Sequence, residues 1–447
     1  MDKKKLIILI LASCTVFIVL AVIVFFSVGM PGGDTQEGAE DNPFGNTDVE
    51  RENILPNTEE TDVAENQDDA DVPDLEMTLK DGSVLRRISN EPVAGAMPFM
   101  HAGQNTGTEP LVRYLLRDSG DMFETPLART TPPTLLYVDP KVRGVVRALW
   151  SSTASSTIAL SLSTDNEVVY TYLGSFMPTK KSGSSTTPSP DEVTFGGRSG
   201  PTDPLSLTFS PDGSMFAFLA IEEKGSVLYT ERVDSGTRRQ VWSSPLRGLT
   251  LRWESPQRIT VYTNPDDMLT GSVWSVDPAS GAAQLLMSNT YGLAVLPHPS
   301  DTRLLYSQRT EVGNYSLRVR HLDGKEDTYL TVPTLAEKCA WGKVYNTYVY
   351  CGIPKNMNRE GFISGWYRGE FSSDDVLWRF DTTTGAGKRL LDPMEEDSRI
   401  TIDMVDLALD PTDTYLVFKD RSSGHLWSLE LPDDIRTTEK ATTTPGF

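Results

Sequence analysis

Leu205-Ser-Leu-Thr-Phe-Ser-Pro-Asp-Gly-Ser-Met-Phe-Ala-Phe-Leu219, continued by Gly225-Ser-Val-Leu-Tyr229 and Arg239-Gln-Val-Trp242, is the stretch on which the reading of this chain turns. Ser206-Leu-Thr-Phe209 alternates polar and apolar residues, as a strand with one buried face does, while Met215 to Ile221 is almost continuously apolar, as a strand covered on both sides is. Between them Pro211-Asp-Gly213 makes a tight turn, because Pro presets φ, Asp can bond nearby backbone and Gly accepts positive φ. The whole segment reads as four antiparallel strands.

The same unit recurs. Comparable first strands begin near Val93, Ala148, Leu207, Leu251, Ala294, Ala340 and Ala408, spaced by about 43 to 46 residues through the middle of the series, the period of four-stranded propeller blades. Two longer steps hold inserts: a Ser/Thr/Pro/Gly-rich stretch from Met177 to Pro204, read as a flexible loop, and Ile353 to Asp374. Weaker forms of the first turn appear as His298-Pro-Ser-Asp301 and Asp410-Pro-Thr-Asp413, and a second turn recurs as Val233-Asp-Ser-Gly236, Asp277-Pro-Ala-Ser-Gly281 and Asp381-Thr-Thr-Thr-Gly385. That recurrence disposes of Gly385-Ala-Gly-Lys388 as a phosphate loop, since residue 382 is Thr where the motif requires Gly, and Arg389 replaces the hydroxyl that would touch magnesium.

The last unit offers Leu407-Ala-Leu409, Tyr415-Leu-Val-Phe418 and His425-Leu-Trp-Ser-Leu-Glu-Leu431, but no fourth strand before the polar tail. Ser83-Val-Leu-Arg-Arg-Ile-Ser89, which precedes the first unit, is the candidate to complete it, so residues 83 to 89 are expected to pair beside 425 to 431. The expected fold is all-β: a seven-bladed β-propeller of four-stranded antiparallel blades, closed by the N-terminal strand of the domain, so that no sheet is left with an open ring end.

Phe209-Ser-Pro-Asp-Gly-Ser-Met-Phe-Ala-Phe218 resembles the repeat of WD40-like propellers of the bacterial TolB type, in which a Ser-Pro-Asp-Gly turn precedes an Ala-Phe strand. Other copies depart from it: the fourth unit has Trp253-Glu-Ser-Pro256 without Asp-Gly, and the sixth has Trp341-Gly-Lys343 without Pro or Asp. The resemblance covers about residues 80 to 431 and implies a fold; propellers host many unrelated activities.

Leu6 to Val28 carries no charge and follows Lys3-Lys-Lys5, long enough at about 1.5 Å per residue to cross a core of roughly 30 Å. The lysines place residues 1–5 in the cytoplasm and everything after the span (6–28) outside, an extracytoplasmic location in the cell envelope. Leu11-Ala-Ser-Cys14 also has the form of a lipoprotein box, although the apolar run continuing through Phe25-Phe26 does not resemble the polar tether that follows a lipidated Cys. Between Asp34 and Glu76 stand sixteen acidic residues against one Arg, so this linker (29–76) holds most of the formal net charge of −21. Such a segment is expected to stay extended and disordered, as is the tail 432–447, flanking a propeller domain at 77–431. The acidity argues against nucleic acid, and loose carboxylates such as Asp68-Asp-Ala-Asp71 lack the fixed oxygen cage of a calcium site.

Cys339 and Cys351 flank the first hairpin of the sixth unit, where one residue of register decides between a disulfide and two small core residues. The four histidines show no ligand spacing, and neither a His-Glu-x-x-His nor a Gly-x-Ser-x-Gly motif occurs, so no metal, cofactor or catalytic residue is expected. The insert Gly361-Phe-Ile-Ser-Gly-Trp-Tyr-Arg-Gly-Glu-Phe371 places Trp366, Tyr367 and Arg368 together, residue types that dominate binding hot spots, and they are read either as a binding patch or as a plug folded onto the sixth blade or into the channel. The expected function is that of a membrane-anchored binding or scaffold module for a protein, peptide or glycan partner, not an enzyme. The alternative is an exported hydrolase or lyase working in the channel, which requires titratable residues converging on the axis; Arg252 and Glu254 flank one first strand in that way.

Overall fold

The computed structural model describes residues 76–432, apart from 104–106, 139–141, 152–153, 164–167, 179–192, 300–301, 311–312, 358 and 398. The expected span (6–28), the linker up to residue 75 and the tail from 433 lie outside the described residues. Among the described residues no helix is long and apolar enough to cross a membrane.

Seven antiparallel sheets follow one another along the chain, and together they form the seven-bladed propeller. Their inner strands are Val93–Gly103, Val145–Ser151, Ser206–Phe209, Leu249–Ser255, Ala294–Pro297, Cys339–Trp341 and Met404–Leu409, close to the expected starts. Blades one to six each contain four strands in chain order. Blade seven combines Met404–Leu409, Tyr415–Asp420 and Leu426–Glu430 with Val84–Arg87, paired as Leu85↔Leu429, Arg86↔Ser428 and Arg87↔Trp427. The N-terminal strand therefore closes the ring. Ile88 N–H donating to Leu426 O at 2.7 Å and Leu426 N–H donating to Ser89 Oγ at 2.9 Å extend the closure.

Three features differ from the sequence expectation. A fifth strand, Glu76–Thr78, pairs outside Val84–Arg87, because Met77 and Leu79 still find the core between blades six and seven. Within the stretch read as a flexible loop, Val193–Thr202 is the fourth strand of blade two, paired along Val169–Pro178; Phe195 anchors it against Phe176 with ring centres 5.1 Å apart, a hydrophobic signal hidden among Ser and Gly. The insert of blade six contains a short helix, Phe362–Tyr367.

Seven buried apolar clusters are found among the described residues, and each spans one junction between neighbouring blades, including the closing one, where Val93, Val112 and Tyr114 of blade one meet Tyr415, Val417 and Leu426 of blade seven. The propeller core is thus a ring of inter-sheet seams. Blades come close enough at their inner strands that a Cβ on Gly95 would lie 2.1 Å from the Ala148 carbonyl oxygen.

Because the strands alternate in direction, turns between first and second strands emerge on one face of the ring, and the second-to-third and blade-to-blade connections emerge on the other. We call these the turn face and the insert face.

Candidate functional site

A cavity of about 520 Å³ lies at the inner strands of blades four to seven. Its rim includes Pro299, Lys343 and Asn346, exposed on first-to-second-strand turns with His298 buried behind them, so it opens on the turn face. Deeper in, Arg252, Glu254, Glu337 and Asp406 line the wall beside Leu296, Trp341 and Leu407.

Strand alternation puts these groups there. In Leu249–Ser255, Leu249, Leu251 and Trp253 are buried in the seam between blades three and four, which turns Arg252 and Glu254 the other way, toward the axis. Local bulges adjust the aim: the pairing shifts between Arg252 and Ser255, between Val405 and Ala408, and between Val145 and Arg147. Asp406, inside the second of these, has φ +53°, a left-handed conformation unusual for a residue with a side chain.

The electrostatics are tightly coupled. Burial pushes the Glu254 carboxyl up to about 7, against the pull of Arg252 and Arg258. Burial also disfavours charge on Arg252, but Tyr262, Glu254 and Glu337 outweigh it and raise its pKa. Glu337 accepts hydrogen bonds from the hydroxyls of Tyr262, at 3.0 Å, and Tyr367. Asp406 pairs with Lys419 at 2.6 Å; burial inside the ring raises its pKa, but Lys419, Arg147 and Arg252 overcome that and lower it. Two buried atoms on this wall, Glu254 Oε2 and Arg252 Nε, have no hydrogen-bond partner among the described residues.

The insert helix covers the other end. Ser364 N–H donates to Asp267 at 2.8 Å in the corresponding connection of blade four, and Trp366 Nε1 donates to Asp403 at 2.8 Å on the connection leading into blade seven. Beneath it sits Lys338, fully buried, with Nζ 2.7 Å from Asp375, 2.5 Å from Asp403 and 4.7 Å from the Trp366 ring centre, while Arg421 lies over the same ring. Burial raises the Asp375 pKa; Lys338 lowers that of Asp403 against the effect of burial.

Of the residues singled out as a binding patch, Trp366 is only 5% exposed and is a packing residue of the plug; its NH is spent on Asp403. Tyr367 is 37% exposed, but its hydroxyl reaches into the channel to Glu337, and burial of that end raises its pKa well above the ordinary value. Arg368 points outward, paired with Glu370 at 2.7 Å. The three do not form one surface, because a single helical turn sends them in different directions. Cys339 and Cys351 are directly opposed in register and joined as a disulfide, with Cα atoms 4.1 Å apart. Sequence reading flagged Arg252 and Glu254 but missed Glu337, Tyr262, Asp406 and Lys338. Parity along each inner strand is the signal for the first pair; nothing local marks the others.

No protein-family model matches the chain, and no curated protein matches it by sequence. Solved structures do. It is similar to an oligogalacturonate lyase in complex with manganese, at 12% identity over 82% of this chain and 98% of the other, with a TM-score of 0.51. TolB from Acinetobacter baumannii matches at 14% identity over 66% of this chain and 63% of that one, TM-score 0.40. The Myceliophteria thermophila Cps50 (Swd1) beta-propeller domain matches at 10% identity over 77% and 98%, TM-score 0.46. The chain thus spans less than two thirds of the TolB structure. The likeness to the lyase structure is one of fold alone.

Proposed function

We propose that this protein is a membrane-anchored, extracytoplasmic propeller that binds a protein, peptide or glycan partner at the mouth of its channel, with residues 6–28 as the span and 29–76 as an acidic tether. The observation that carries the reading is the inequality of the two faces: the cavity opens among the first turns of blades five and six, while the helix Phe362–Tyr367 is fastened over the insert face. The first strand, Glu76–Thr78, also enters from the insert face, since it runs antiparallel to Val84–Arg87, whose end leads into blade one there. A tether attached on that side leaves the open mouth facing away from it.

The test uses the full-length chain in its native membrane. Protease added to intact cells should remove the propeller, and cross-linking should capture one stoichiometric partner that an Asn346→Trp variant, obstructing the rim, no longer captures while Leu285→Ala on an outer strand still does. Capture that ignores Asn346→Trp contradicts the channel-mouth reading, and a protected propeller contradicts the topology.

A second reading is favoured by one observation: Glu254, held at about 7 beside Arg252, has the protonation balance of a general acid or base near neutral pH. Turnover of a soluble glycan or peptide that Glu254→Gln abolishes would support a channel enzyme.

A further inference from the structure

Resting on the span and tether put forward above, we propose that the insert face of blades three and four lies against the headgroup layer of a lipid bilayer, with Met268 and Leu269 entering it deepest.

The two faces differ in what they expose. Leu205, Ile221, Leu246, Met268, Leu269 and Tyr291 all keep more than a third of their surface in water, and strand direction puts every one of them on the insert face. Leu205 and Leu246 stand on blade-to-blade connections, Ile221 and Tyr291 at strand ends that lead to that face, and Met268-Leu269 on the second-to-third connection of blade four. They adjoin one another. Ser226, which lies opposite Ile221, donates its N–H to Leu246 O at 3.2 Å, and Tyr291 lies opposite Thr270, the neighbour of Leu269. At the turn face, exposed Met177 and Val344 stand in different blades, two and six. An apolar arc of this kind marks an interaction surface.

The tip of the arc is held rigidly. Asp266 Oδ1 accepts from Met268 N–H at 2.7 Å and Leu269 N–H at 2.9 Å, and Asp267, 2% exposed, turns inward to accept from Ser364 N–H at 2.8 Å and from the Tyr315 hydroxyl. Both acids of the loop are thus spent on its own backbone and on the plug helix. Met268 and Leu269 are left 76% and 69% exposed. A loop already ordered loses little entropy when its apolar side chains enter an interface.

Lipid is the occupant that the chain's own route favours. Glu76 enters from this face, so residues 1–75, with the proposed span, leave from the same side. Beside Ile221 and Leu246 stand Glu222, Glu223, Lys224 and Arg247, two charges of each sign, which suits a zwitterionic headgroup layer. Tyr291 adds an aromatic ring with a polar tip, the side chain enriched at membrane–water boundaries. Interfacial binding scales with the apolar area buried, and tethering makes each encounter intramolecular, so contacts too weak to hold a free protein on a bilayer suffice.

The test places a small fluorescent amino acid at position 269 or 344 of the full-length chain in phosphatidylcholine nanodiscs. Lipid carrying a doxyl group near the head of its acyl chain should remove about half the emission at 269 and little at 344, while aqueous iodide should do the reverse. With the fluorophore at 246 instead, Met268→Ser with Leu269→Ser should lower doxyl quenching several-fold and leave the urea midpoint unchanged, since both side chains stand in water on the free protein. Equal iodide quenching at 269 and 344 overturns the proposal. Protection of 269 from iodide and doxyl alike also overturns it, because protein, a second copy included, then covers the arc. In both cases a chain that stays in the discs leaves the span standing; a chain that does not enter them contradicts the span and the lipid contact together.

Discussion

Blades three and six are built on the same four-strand plan, yet they solve the first turn in opposite ways. In blade three the turn supplies its own chemistry: Asp212 accepts from Ser210 Oγ at 2.6 Å, Ser214 N–H at 3.1 Å and Ser214 Oγ at 2.8 Å, and Gly213 takes φ +70°. In blade six, Trp341-Gly-Lys343 has no such carboxylate. Its next three backbone N–H groups, from Lys343, Val344 and Tyr345, each donate at 2.9 Å to Asp413 of blade seven. Asp413 occupies the place in its own turn that Gly213 holds in blade three, at φ +55°. Where the repeat is regular the blade is self-sufficient; where it degenerates, the blade borrows from its neighbour and becomes the part of the ring that carries the disulfide, the plug and the cavity wall.

That contrast can be broken first at Lys338. Replacing it with Met leaves Asp375 and Asp403 buried without their cation, and a loss of about 3–5 kcal/mol in the denaturant midpoint is expected; a loss under 1 kcal/mol would mean the pair is no more than solvent-exchanged charge. Trp366→Ala should follow, at about 3 kcal/mol, because it removes a buried ring that Lys338 and Arg421 both cover. Tyr367→Ala, whose ring is partly exposed, should melt closer to the parent, and equal losses would show that the helix packs as one unit.

The borrowed turn comes next. Asp413→Gly relieves the left-handed backbone but orphans three N–H groups, so a net loss of about 2 kcal/mol is expected despite the better fit of Gly. Asp212→Ala in blade three should cost about 1 kcal/mol, since Ser210 and Ser214 stay near water. If the two were equal, borrowing would confer nothing that a local turn lacks.

The last effect is a slope with pH. Glu254 titrates near 7 in the folded chain against an ordinary value of 4.5. From about 4.5 to about 7 the unfolded state has released this proton while the folded state retains it, so Glu254 makes stability fall as pH rises across that window and adds nothing further above it. Urea midpoints of parent and Glu254→Gln should therefore converge below the window and diverge above it, with Gln the more stable; parallel curves would place the Glu254 carboxyl near its ordinary value.

Much of the ring was legible in the sequence because hydrophobic alternation and turn residues are local. Ser210-Pro-Asp-Gly213, the spacing of first strands and the missing strand of the last unit led to the architecture and to closure through Val84–Arg87. Val193–Thr202 escaped because its pairing rests on one aromatic among small residues. Asp420 to Gly424 repeats the Asp-x-x-x-Gly turn, with Gly424 at φ +76°, and went unread because it falls between the second and third strands of its blade. The site was less legible: Glu337 and Asp406 are sixty-nine positions apart in the chain and meet only because the ring curves, and Asp406 points inward only because a bulge shifts it.

The central claim is that partners meet this propeller at its turn face. A photo-reactive phenylalanine analogue placed either at Asn346 on the cavity rim or at Met268, 76% exposed on the insert face, compares the two ends directly in intact cells. The account predicts a discrete adduct from position 346 and none from 268; an adduct from 268 alone would contradict it.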